Sequence, residues 1–73
     1  MTEIQIKLPP ESVSTFVKKT QDCDFNVDIA YDHLEIDAKS LLGILSLDLN
    51  KILHVKMFGH NEALEDYLQT LAV

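Results

Sequence analysis

The side chains able to do chemistry in this 73-residue chain are three histidines, one cysteine, several close pairs of acids and one serine ahead of a leucine run. A histidine can relay a proton or accept a phosphoryl group near neutral pH. His33 falls between two alternating stretches, His54 inside a third and His60 just before a helical pattern. No two of them, and no His–Cys pair, have the spacing of a metal site. Cys23 would need a neighbouring base to become a nucleophile; the run Asp22-Cys23-Asp24 supplies none and reads as an inert thiol. As the only cysteine it cannot form an internal disulfide. Asp22/Asp24 and Glu65/Asp66 read as solvated surface, because a working acid/base pair needs environments that push two pKa values apart. Strand pairing could bring Asp28 and Asp32 together. No glycine-rich phosphate loop occurs. Ser40, ahead of LLGILSLDL, is a good helix N-cap.

Charge narrows the classes. Twelve acids face six bases, for a net charge of −6, and every base is a lysine. A reader of phosphate backbones carries a basic face, so no nucleic-acid partner is expected, and an anionic membrane surface would repel the chain. No apolar run has the length of a membrane span. The opening MTEIQIKLPP lacks the apolar core of a secretory signal. The expectation is a cytoplasmic protein with one domain over residues 1–73. A chain this short buries only about 60% of its unfolded surface. No cofactor or metal site is expected, and partners would read the surface.

The elements that must carry these groups follow from periodicity. Ile4, Ile6 and Leu8 alternate with Glu3, Gln5 and Lys7, which predicts a half-buried strand over 2–8 that Pro9-Pro10 ends. Val13, Phe16, Val17 and Thr20 fall at i, i+3, i+4 and i+7, predicting an amphipathic helix over 11–21 with Glu11 in its first turn. Alternation returns over 25–38. Phe25, Val27, Ile29 and Tyr31, then Leu34, Ile36 and Ala38, predict a hairpin around Asp32-His33. A short helix from Ser40 to Leu49 has too many apolar residues for one face, so one side must be buried and the other available. Residues 51–58 predict a fourth strand with Leu53, Val55 and Met57 on one face, and Gly59 a turn. Asn61 caps a last helix with Leu64, Tyr67, Leu68 and Leu71 on its inner side. The order β-α-β-β-α-β-α predicts an α+β fold. It would be an open-faced two-layer sandwich, with helices on one face of a four-stranded antiparallel sheet.

The segment from Ile36 to Met57 resembles the second half of HPr, the histidine-containing phosphocarrier of the bacterial sugar phosphotransferase system. That family's pattern is approximately v-[ND]-x-K-S-[IL]-[ML]-G-[VIL]-[ML]-[ST]-L. The chain supplies Asp37, Lys39, Ser40, Leu41, Leu42, Gly43, Ile44, Leu45, Ser46 and Leu47. Element order and chain size agree with the family. The chain departs at Asp48 and Ile52, where the family favours glycine, and its Gly59 loop is shorter.

The resemblance implies a set of sites. The family's phosphoryl-accepting histidine begins the first helix, followed by an arginine that stabilises the phosphate. Counted back from Ser40, the histidine position falls on Pro9 and the arginine position on Glu11, and neither type occurs between Met1 and Gln21. Proline offers no nucleophile, and Glu11 puts negative charge where a phosphoryl group needs positive charge. Carrier catalysis is therefore not expected. Ser40 matches the serine that an ATP-dependent kinase modifies in Gram-positive members. Leu41, Leu42 and Leu45 match the family's docking residues for enzyme I, the kinase and a transcriptional regulator; on residue type alone they also read as core. The resulting expectation is a non-catalytic regulatory or adaptor protein that binds through the Ser40–Leu49 helix and is switched at Ser40. Two alternatives stay open. One is a divergent phosphocarrier using His33, His54 or His60. The other is a small-ligand or oligomerisation module on the same fold.

Overall fold

Each alternating segment becomes a strand, and each helical period a helix. In the computed structural model, which describes residues 1–73, β1 (Thr2–Ile6) is followed by a single 3-10 turn (Pro10–Ser12) and α1 (Val13–Gln21). Then come β2 (Val27–Tyr31), β3 (Leu34–Asp37), α2 (Leu41–Leu45), β4 (Leu53–Met57) and α3 (Glu62–Leu71). The sheet order is β1-β4-β2-β3 and every neighbouring pair is antiparallel. The expected open-faced sandwich is the observed architecture.

Register divides the sheet into two faces. Ile6, Leu53, Val55, Met57, Val27 and Ile29 are fully buried and face the helices, where they meet Phe16 and Val17 of α1 and Leu64 and Leu68 of α3. Fully burying one such side chain contributes about 1.5–3 kcal/mol. The other face carries two polar rows. Glu3, Lys56, Asp28 and Asp37 align across the four strands, and Gln5, His54, Ala30 and Glu35 form the next row. The chain after α3 returns to the outer edge of β1. Lys7 N donates to Leu71 O at 3.1 Å, and Val73 N donates to Gln5 O at 3.1 Å. This covers part of an edge that would otherwise offer unpaired backbone groups.

Two local expectations change, and two expected turns find their physical reason. The α-helix starts at Val13, so Glu11 sits in the preceding 3-10 turn; Pro9 O accepts from Ser12 N at 2.9 Å and fixes that turn. Leu34 alternates as expected but is half exposed, because it lies at the tip of the edge strand. The Asp32-His33 connection closes without glycine because Asp32 itself takes φ 53°, a left-handed conformation that Asp tolerates better than most residues. Gly59 needs no positive φ. Its lack of a side chain makes room for the Phe25 ring, with which a Cβ there would collide.

Candidate functional site

The short helix over the edge of the sheet has the sequence of a core element and the exposure of a surface one. Ser40, with φ −96° and ψ 110°, is the N-cap of α2, and its Oγ accepts from Gly43 N at 3.1 Å. That bond satisfies one of the helix's free amides. The helix is shorter than the predicted Ser40–Leu49 segment and ends at Leu45. Ser46 stops it. Its N–H reaches back to Leu42 O and Gly43 O, each at 3.2 Å, and its hydroxyl donates to Gly43 O at 2.6 Å. Beyond it, Asp48 N donates to the Tyr31 hydroxyl at 2.9 Å and Asn50 N to Asp48 Oδ1 at 3.0 Å, so residues 46–51 run as turns.

Within this run Ile44 and Leu47 are buried and anchor the segment. Leu41 is 43% exposed, Leu42 81% and Leu45 58%. The predicted division of the helix into a buried and an available side is thus present, and the three leucines named by the resemblance are on the available side. Between α2 and α1 runs an open groove of about 320 Å³ lined by Ser14, Thr15, Val17, Lys18, Gln21 and Leu41.

The turn that presents Ser40 is heavily tied to α1. Thr20, the one buried polar residue, places its hydroxyl 2.8 Å from Val17 O and 3.1 Å from Ala38 O. Gln21 Nε2 donates to Lys39 O at 2.9 Å, and Lys39 Nζ to Cys23 O at 2.8 Å. Asp37 completes the turn. Its Oδ1 accepts from Lys39 N at 2.9 Å and its backbone oxygen accepts from Ser40 N at 3.1 Å. Periodicity marked Thr20 only as core and gave Gln21 and Lys39 no partners, since these bonds span 16 to 18 residues.

The remaining candidates are scattered. Pro9 is half-buried, and Pro10 and Glu11 are exposed. His33 is exposed at the hairpin tip. His54 lies on the uncovered sheet face with Nδ1 2.9 Å from Glu3 Oε2, and exposed His60 has Nδ1 3.6 Å from Glu65 Oε2. Cys23 is buried, with Sγ 3.6 Å from Lys19 O. Burial pushes its thiol pKa up, with Lys39 opposing and Asp22 and Asp24 adding to the rise. That is the direction of an unreactive thiol. No three His, Cys, Asp or Glu side chains are placed to hold a metal ion. No helix is long and apolar enough to cross a membrane.

Asp28 and Asp32 are not brought together. Asp32 pairs with Lys51 at 3.2 Å, whereas Asp28 stands opposite Asp37, with Glu35 beside it. Residues four apart on one strand share a face but are separated along it, so the acid that meets Asp28 comes from the facing strand. Asp28 has its pKa raised by burial first, then by the hydrogen bond and charge of Glu35 and the charge of Asp37, with Lys56 opposing. Glu35 has its pKa lowered, chiefly by its 3.0 Å bond to Lys56 and then by Asp28. Asp28 and Glu35 are seven positions apart in the chain, and only the hairpin register brings them together. Comparison with protein-family models found no match, and comparison with curated proteins found none.

Proposed function

We propose that the chain is an HPr-like protein of the bacterial phosphotransferase-system type that carries no phosphate on histidine and acts as a regulatory or adaptor protein. It docks through α2, in the cytoplasm, on a kinase, an enzyme I-like protein or a transcriptional regulator. The observation that carries this reading is the exposure of Leu41, Leu42 and Leu45 on a helix anchored by Ile44. Three neighbouring exposed leucines on a small chain mark an interaction surface. The sequence pattern from Asp37 to Leu47 and the strand–helix order support the family; Pro9 and Glu11 support the loss of the carrier step.

Ser40 is the switch in this reading. Ser40 is exposed, and so are Leu41 and Leu42 after it. A phosphate adds about −1.5 to −2 charge there and changes which surface can close over the leucines. The acidic chain would be steered toward a basic partner.

Intact mass tests both halves. Incubation with enzyme I and phosphoenolpyruvate should add nothing while an authentic HPr is fully modified. Incubation with the family's kinase and ATP should add one acid-stable phosphate, absent from Ser40→Ala and reduced in Leu42→Asp. An acid-labile phosphate would overturn the reading and direct mapping to His33, His54 and His60. No phosphate on Ser40 would remove the switch.

A further inference from the structure

The uncovered face of the sheet is short of cations. Asp28, in the middle of it, is flanked in register by Asp37 on β3 and Lys56 on β4. Glu35 on β3 and Glu3 on β1 complete its charged surroundings, with His54 on β4. Lys56 is committed to Glu35 at 3.0 Å and His54 to Glu3 at 2.9 Å. Asp37 has its own task, since it accepts Lys39 N on its side chain and Ser40 N on its backbone oxygen. A charged Asp28 therefore stands directly opposite a second carboxylate, one that accepts a backbone amide of the turn, and like charges directly opposite on a sheet destabilise the pair.

We propose that Asp28 is a proton-dependent brace. With its carboxyl protonated, it holds the end of β3, and through Asp37 the turn that presents Ser40 and α2, more firmly than when it is charged. The proton converts one Asp28 oxygen from acceptor to donor. A neutral Asp28 no longer repels Asp37 across the strand pair, and its new donor can serve Glu35, which Lys56 at 3.0 Å keeps as the carboxylate. The opposing pKa directions of Asp28 and Glu35 agree with a proton on the first and a charge on the second. The path onward is short and hydrogen-bonded: Asp37 accepts Lys39 N on its side chain and Ser40 N on its backbone oxygen, and Ser40 Oγ accepts Gly43 N. On the other side of β3, Ile36 packs against Gly43, where an added Cβ would lie 3.1 Å from Ile36 Cδ1. Movement of β3 is therefore felt by α2 from below as well. The bearing of this brace on partner binding rests on the docking role proposed above; the brace itself does not.

The test follows the amide resonances of Lys39, Ser40 and Gly43 in the free protein as pH is lowered from neutral. In the wild type they should show a step with its midpoint above the ordinary aspartate range, and Asp28→Asn should abolish that step. At neutral pH, hydrogen exchange at Ser40 and Gly43 should be several-fold slower in Asp28→Asn than in the wild type. In Glu35→Gln, which keeps Asp28, the midpoint should fall. A step that Asp28→Asn leaves unchanged would overturn the proposal, as would equal exchange rates. Neither result would touch the docking reading, which stands or falls on the phosphate and the leucines.

Discussion

α2 and α3 start alike and then diverge. Each opens on a residue in extended conformation whose side-chain oxygen accepts the amide three residues on: Ser40 from Gly43 at 3.1 Å, Asn61 from Leu64 at 2.9 Å. Each is leucine-rich. α3 has ten residues, turns Leu64 and Leu68 into the core and places Glu62 and Asp66 outside. α2 has five, buries Ile44 alone and turns Leu41, Leu42 and Leu45 to solvent. Leucines that leave the core on one helix and fill it on the other answer different demands. Those of α3 hold the fold, and those of α2 are available for something else.

The largest expected effect tests that division. Leu68→Ala removes a fully buried side chain and should cost about 2–5 kcal/mol, read as a lower denaturation midpoint with an unchanged slope. Leu42→Ala removes a similar side chain from solvent and should stay within about 0.5 kcal/mol. A large loss at Leu42 would place it in the core and remove the basis for a docking face. Binding to the partner proposed above should respond in the opposite order.

How far the sequence carried the reading depends on the range of the forces involved. The strands and the two longer helices were legible because one buried face imposes a period, visible in Leu53, Val55 and Met57 or in Leu64 and Leu68. The end of α2 was not, since LLGILSLDL continues an apolar run through the point where the Ser46 hydroxyl and amide turn back on Gly43. Alternation places Leu34 inside because it cannot tell an edge strand's tip from its middle. At the candidate site the residue types were legible: Ser40, and leucines in excess of one face. The clamp from Thr20, Gln21 and Lys39, and the meeting of Asp28 with Glu35, were not. Both depend on register between segments that no local period encodes.

The caps offer a smaller effect and a finer comparison. Asn61→Ala should cost about 1 kcal/mol, because α3 is packed on the core along two turns and cannot lose its start cheaply. For a domain of this size that corresponds to roughly 4–8 °C in melting temperature. Ser40→Ala should cost less globally and show itself locally, as faster amide exchange at Gly43. The turn before Ser40 is held independently by Asp37, Gln21 and Lys39. If Ser40→Ala lowered the melting temperature as much as Asn61→Ala, α2 would be a load on the fold equal to α3, and the distinction between the two helices would fail.

The smallest effects lie on the sheet face away from both helices, and their signs are opposed. Glu35 has its pKa lowered by Lys56, so the stability it contributes is present above its unfolded pKa and is lost as pH falls through its lower folded value. Asp28 has its pKa raised, so its contribution is present at low pH and is lost as pH rises through its higher folded value. At neutral pH, Asp28→Asn should therefore raise the melting temperature slightly, and the gain should fade as the wild-type Asp28 takes up its proton. Glu35→Gln should lower it slightly at neutral pH, and that loss should fade only in more acid solution. Melting curves of the three proteins across this range distinguish a face whose acids share one cation from four independent surface carboxylates. In the second case both variants would shift the curve in the same direction or not at all. The proposed brace would then lose its energetic basis, while the contrast between α2 and α3 would stand.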